Sequence, residues 1–128
     1  KILLINKKNK LYRKKTLICT LLLSGTKEIK KLNKKFRNKN KSTDVLSFPF
    51  YEKKKLTNEI RRKNEIYLGD IIINLSKVKN KDNLNKFNEE LNKLWIHGLV
   101  HLFGHRHKSE KDFFEMSKVE KKFLEYLN

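Results

Sequence analysis

Apolar positions fall in short blocks and spaced stripes, and their spacing predicts a series of elements. The run Thr16–Leu23 (TLICTLLL) is apolar, partly β-branched and ended by Ser24-Gly25, which predicts a buried strand and a turn. Thr26 is placed to cap a helix on which Ile29, Leu32 and Phe36 recur at helical spacing, with lysines on the other face. Asn38–Ser42 reads as a polar, basic loop. Asp44–Phe48 (DVLSF) has strand character, and Pro49 ends it or marks an edge. Glu52–Glu65 reads as a basic, mobile loop. Ile66–Asn74 (IYLGDIIIN) is the strongest strand, with Gly69 at a bulge or close approach.

The strongest helix is Leu84–Phe103. Leu84, Phe87, Leu91, Trp95, Gly98 and Leu102 form one stripe, and Ile96, Val100 and Phe103 lie opposite. The second half of this helix is therefore expected to be buried on nearly all faces. Gly104 stops it. Ser109 with Asp112 resembles a capping box opening a last helix that carries Phe113, Met116, Val119, Phe123 and Leu127. The order of strand, helix, strands, helix, helix gives an α+β class.

Composition narrows the picture. A chain of 128 residues is expected to be one domain, spanning 1–128. A single cysteine, Cys19, excludes an internal disulfide framework or a CxxC metal cluster. No apolar run approaches the roughly 18 residues of a membrane span, so no membrane partner is expected. The start, Lys1–Asn6, is a poor secretory signal, and a reducing, cytoplasmic setting is the expectation. The chain opens inside a strand-like run without an initiator Met, which fits an incomplete N terminus. The net charge of +18 would attract polyanions, nucleic acid first. Part of the lysine excess has a plainer source. Lys, Asn, Ile and Phe are residues of A/T-rich codons, and the chain has no Ala or Gln.

All four histidines fall between positions 97 and 107, in His97-Gly98-Leu99-Val100-His101-Leu102-Phe103-Gly104-His105-Arg106-His107. His97 and His101, four apart, leave one helix face one turn apart, where a single ion can take both imidazoles. Gly104 frees the backbone to swing back, and His107 can supply a third ligand. The spacing HxxxHxxGxxH is that of a three-His zinc site with an open fourth position. Imidazole also suits Cu, Fe or Ni, so spacing does not fix the metal. His105 fits the set less well and reads as a pocket or surface residue. Position 98 would be Glu, the general base, in a zinc protease of this spacing. Here it is Gly98, which disfavours peptide hydrolysis.

The segment HGLVHLFGHRH resembles the HGxLHLxGxDH signature of the YbeY family of rRNA-maturation endoribonucleases. Asn33-Lys34-Lys35-Phe36-Arg37 through Ser42-Thr43-Asp44-Val45-Leu46-Ser47-Phe48-Pro49 is similar to the family's NxxYR…TDVLSFP block, and Leu68–Ile73 to its LGDIxI strand. Glu115-Met116 with Glu120 resembles the family's closing helix. The resemblance runs in order from about Leu17 to the C terminus. It implies a zincin-like α+β domain with a small mixed sheet packed on helices and a three-His metal site at the end of a buried helix. It also implies one Zn2+ per chain, held by His97, His101 and His107. The implied activity is a single-strand-specific endoribonuclease in 16S rRNA 3′-end maturation and ribosome quality control. Arg37 matches the family's active-site arginine. RNA, as pre-16S rRNA in the ribosome, is the implied partner, with a ribosomal protein or an assembly GTPase beside it. One departure is Arg106, where the family has Asp. A cation there weakens metal binding and attracts phosphate.

Other readings follow from chemistry. Arg37 can fork two phosphate oxygens and offset charge in a phosphorane-like transition state; a helix-end surface arginine is the plainer alternative. Asp44 and Asp70 read as structural, and Ser47 as a strand hydroxyl. Phe48, Phe50 and Tyr51 could stack unpaired bases or simply pack. Lys53, Lys54, Lys55, Arg61 and Arg62 are candidates to track an RNA backbone. The rivals are a peptidase-like zinc hydrolase and a non-catalytic, metal-stabilised ribosome-assembly factor.

Overall fold

The structure, a computed structural model, describes residues 14–106 and 108–127. Elements follow in the order β1 (Thr16–Ser24), α1 (Thr26–Arg37), β2 (Val45–Pro49), α2 (Lys53–Arg62), β3 (Glu65–Asn74), α3 (Leu84–Leu102) and α4 (Glu110–Leu127). The three strands form a mixed sheet in the order β1-β3-β2, parallel between β1 and β3 and antiparallel between β2 and β3. The α+β class expected from the pattern, and the small mixed sheet implied by the resemblance, are present.

β3 lies at the centre and is buried on both faces, which is why it reads as a nearly continuous apolar run. Its register against β1 steps from Ile18↔Tyr67 to Cys19↔Gly69, so Leu68 is an extra residue. This bulge resets the alternation. Ile66 and Leu68 before it, and Ile71 and Ile73 after it, share the core with Leu56, Ile60, Leu99 and Leu102. Ile72 packs on the other face with Ile29 and Leu46. Gly69 has φ +135°, and a Cβ there would lie 2.2 Å from the Phe48 carbonyl oxygen. The glycine lets the end of β2 close onto β3.

α3 crosses the sheet at Gly98, where a Cβ would meet Ile71 Cγ2 at 2.7 Å and Val45 Cγ2 at 3.3 Å. Position 98 is therefore a helix–sheet contact point with no room for a longer side chain. Around it, Ile96, Leu99, Val100 and Leu102 are buried, as the all-round apolar pattern predicts. Met116 of α4 covers Ile96 and Val100.

Four expectations need correction. The segment Glu52–Glu65 is not a loop. Leu56 and Ile60, four apart, bury one face of α2, and the lysines surround it. β1 is not a buried strand. It sits at the sheet edge, and Leu21, Leu22 and Leu23 are each nearly half exposed among the described residues. Thr26 does not cap α1, whose N-cap is Gly25; its hydroxyl accepts from Asn74 Nδ2 at 3.0 Å. Leu84 and Phe113, placed on apolar stripes, are exposed, because each lies in the first turn of its helix, beyond the packed span. The last helix opens as read, with the Ser109 hydroxyl accepting from the Asp112 amide at 3.1 Å.

Candidate active site

Helical phase brings His97 and His101 together at the end of α3. Their Nε2 atoms are 3.2 Å apart. Each ring is held from behind at its other nitrogen. His97 Nδ1 lies 2.6 Å from Glu120 Oε1 on α4, and His101 Nδ1 lies 2.9 Å from the His105 carbonyl oxygen. A carboxylate and a carbonyl only accept, so both contacts suit the neutral tautomer with its proton at Nδ1, the form in which Nε2 can donate an electron pair to a metal. Two such nitrogens face to face suit a shared cation. Zinc–nitrogen bonds of roughly 2.0–2.1 Å let one ion reach both. The residues present therefore fit a metal ion.

The turn after α3 makes this anchor. Gly104, at φ +94°, donates its N–H to the His101 carbonyl at 2.9 Å and sends the chain back so that the His105 carbonyl meets the His101 ring. His107, the expected third ligand, lies outside the described residues. Among the described residues no group of three His, Cys, Asp or Glu converges on one point.

Arg37 comes from the last turn of α1. Asn38, in left-handed conformation at φ 55°, ends that helix and turns the chain toward β2. The guanidinium donates from Nη2 to the Ser47 carbonyl at 2.5 Å and lies 5.4 Å from the Phe48 ring centroid. Ser47 acts through its backbone, and the role read for its hydroxyl is not what fixes Arg37.

Two hollows meet at this point, since Arg37, Ser47 and His101 line both. The larger, of about 1120 Å³, is bounded by Phe50, Tyr51, Lys53, Lys54, His105 and Arg106, with Glu52, Asp112 and Glu115 supplying the opposite sign. The smaller, of about 290 Å³, includes His97, Asp44, Lys39 and Lys41. Burial pushes the His105 imidazole below its ordinary range, and the neighbouring Lys53 ammonium adds to this. His105 thus lines the larger hollow while its carbonyl orients His101.

The basic candidates divide. Lys53 and Lys54 line the larger hollow, and Lys53 also packs its stem against Gly104. Lys55, Arg61 and Arg62 line neither hollow. Arg62 Nη2 is 2.9 Å from Glu59 Oε1. Asp70 is exposed and accepts from the Tyr67 hydroxyl, outside the site. Glu120 carries no assigned role in the sequence reading. Its signal was a carboxylate one turn after Met116, beside the inward stripe of α4.

A family model described as Endoribonuclease YbeY matches residues 2–128. The chain belongs to the YbeY family. An Endoribonuclease YbeY of Pelagibacter ubique is 46% identical over 56 residues, covering 42% of this chain and 37% of that protein. One from Campylobacter jejuni is 41% identical over 63 residues, covering 48% and 46%. These alignments span less than half the length of the YbeY relatives they match. The solution structure of TM1509 from Thermotoga maritima superposes with a TM-score of 0.51 at 33% identity, over 84% of this chain and 65% of that one.

Proposed function

We propose that the chain is a metal-dependent endoribonuclease, on a zincin-like scaffold, that cuts single-stranded RNA during 16S rRNA 3′-end maturation and ribosome quality control in the cytoplasm. The observation that carries this reading is the pair of Nε2 atoms 3.2 Å apart, each ring fixed from behind, where two hollows lined in part by Lys and Arg meet. His97, His101 and His107 would hold one Zn2+. The bound ion would supply Lewis acidity toward a phosphoryl oxygen and lower the pKa of water.

The chain's own residues do the rest. Arg37, anchored by one N–H to Ser47, has further N–H donors for phosphate oxygens and offsets charge as the phosphodiester passes through its transition state. Glu120 and the His105 carbonyl hold the imidazoles in one tautomer. Lys53, Lys54 and Arg106 on one side of Arg37, and Lys39 and Lys41 on the other, suit a strand entering and leaving. Gly98 weighs against a peptidase. The position is filled by Ile71, so no glutamate base fits there.

The test is metal content of protein purified without chelator, by elemental analysis, on wild type and on His97→Ala and His101→Ala, beside cleavage of a single-stranded RNA. About one Zn in wild type, almost none in the variants and cleavage lost with the metal are expected. Full metal occupancy in both variants would overturn the site. A metal-loaded wild type that leaves RNA intact would overturn the activity.

A further inference from the structure

The sequence offers three aromatic residues beside the basic segment, and the structure separates them. Phe48 is engaged: the Phe36 ring meets it edge-on at 5.6 Å and the Arg37 guanidinium lies over it. Tyr51 is half-buried. Phe50 is 63% exposed and lines the larger hollow together with Arg37, His101, Lys53, Lys54 and Arg106. Other large apolar side chains are exposed too, including Phe36, Phe113 and Phe114, but these do not line that hollow.

Phe50 is also held by defined contacts. Its N–H donates to the Leu68 carbonyl at 2.9 Å, and the bare Gly69 lets the Phe50 amide come within 3.0 Å of where a Cβ would stand. Two rings brace its side chain at steep angles: Tyr51 at 4.8 Å and Tyr67 at 5.6 Å between centroids. Tyr67 is itself fixed at its hydroxyl, which donates to Asp70 and shares a 2.7 Å hydrogen bond with Thr20.

We infer that Phe50 is a base-stacking platform, binding one unpaired nucleobase of an RNA strand whose phosphates run along Lys53, Lys54, Arg106 and Arg37. The proposal rests on the endoribonuclease reading and adds the contact that recognises an unpaired base. A flat aromatic ligand gains contact with the ring without needing any particular hydrogen-bond edge, so the platform prefers single strands and tolerates any base. A paired base keeps its faces inside the helical stack and cannot reach it. The two interactions divide the work. The cations supply the salt-dependent part of affinity, and Phe50 supplies a salt-independent part.

The experiment uses the full chain and a single-stranded RNA with 2-aminopurine moved along it one position at a time, read by fluorescence quenching and by anisotropy. The variants are Phe50→Leu, which keeps apolar bulk and loses the π face, and Phe50→Tyr, which keeps both. Wild type and Phe50→Tyr are expected to quench the probe at one or two positions. Phe50→Leu should abolish that quenching and weaken binding about tenfold, with an unchanged slope of log affinity against log salt. Binding by Phe50→Leu within twofold of wild type, or quenching that persists in it, would overturn the platform while leaving the endoribonuclease reading intact. A wild type that neither binds nor cuts RNA would overturn both.

Discussion

Glu120 and Arg37 are each held by a small number of contacts. Glu120 fixes the His97 ring by one hydrogen bond across 23 residues of sequence. A carboxylate behind a metal-binding imidazole sets its tautomer and raises its basicity, and its removal typically costs roughly 10–100-fold in metal affinity. Glu120→Ala is expected to weaken zinc binding by about that factor in a chelator-competition titration, with Glu120→Gln falling between. Unchanged zinc affinity in Glu120→Ala would mean that His97 is oriented by other contacts. Arg37 is expected to divide by chemistry. Arg37→Ala should lower kcat on RNA about 100-fold, the cost of a lost transition-state donor. Arg37→Lys should restore RNA binding more than rate, because an ammonium lacks the planar fork that bonds Ser47 and phosphate together. Equal recovery of both in steady-state kinetics would assign Arg37 to binding alone.

α3 and α2 set the frame in different ways. α3 approaches the sheet closely only because position 98 has no side chain. Gly98→Ala pushes a methyl into Ile71, and overpacking of this kind costs about 1–3 kcal/mol in a urea denaturation. No loss of stability would mean that Ile71 moves aside. α2 was unreadable from its lysine-rich sequence, yet it carries a local acid-sensitive lock. Lys63 lies 2.9 Å from Glu59 Oε2 and Arg62 2.9 Å from Oε1. The hydrogen bond from Lys63, with Arg62 behind it, holds the Glu59 carboxyl below its ordinary value of 4.5. A depressed carboxyl stabilises the fold above that ordinary value and loses its contribution as pH falls through the depressed one. The stability gap between wild type and Glu59→Gln should therefore be flat near neutral pH and close below about pH 4.5. A gap that persisted well into the acid range, measured by thermal melts, would argue that the ion pairs contribute nothing.

At the scale of the whole molecule, the charge of +18 guarantees attraction to any polyanion and so says little about specificity. Geometry narrows it. Lys53 and Lys54 face the larger hollow, while Arg62 is spent on Glu59. Lys53→Ala with Lys54→Ala should reduce the salt slope of single-stranded RNA binding by about two, whereas Arg61→Ala should leave it nearly unchanged. Equal effects from both, in anisotropy titrations across a salt series, would mean that binding follows total charge and not the cleft.

What the sequence determined by itself is local and periodic. The four-residue step between His97 and His101, the end of α3 at Gly104, the cap at Ser109 and the bulge at Gly69 follow from the covalent repeat of helix and strand. These were legible because each depends on neighbours a few residues away. The tertiary structure alone decided the rest. It placed β1 at the edge of the sheet formed by the described residues with its leucines half exposed, closed α2 over the core through Leu56 and Ile60, and brought Glu120 behind His97. It also put Arg37 against Ser47 and chose Phe50, not Phe48, to line the hollow. Contacts between distant segments depend on which faces pack together across the whole chain, and no local period carries that information.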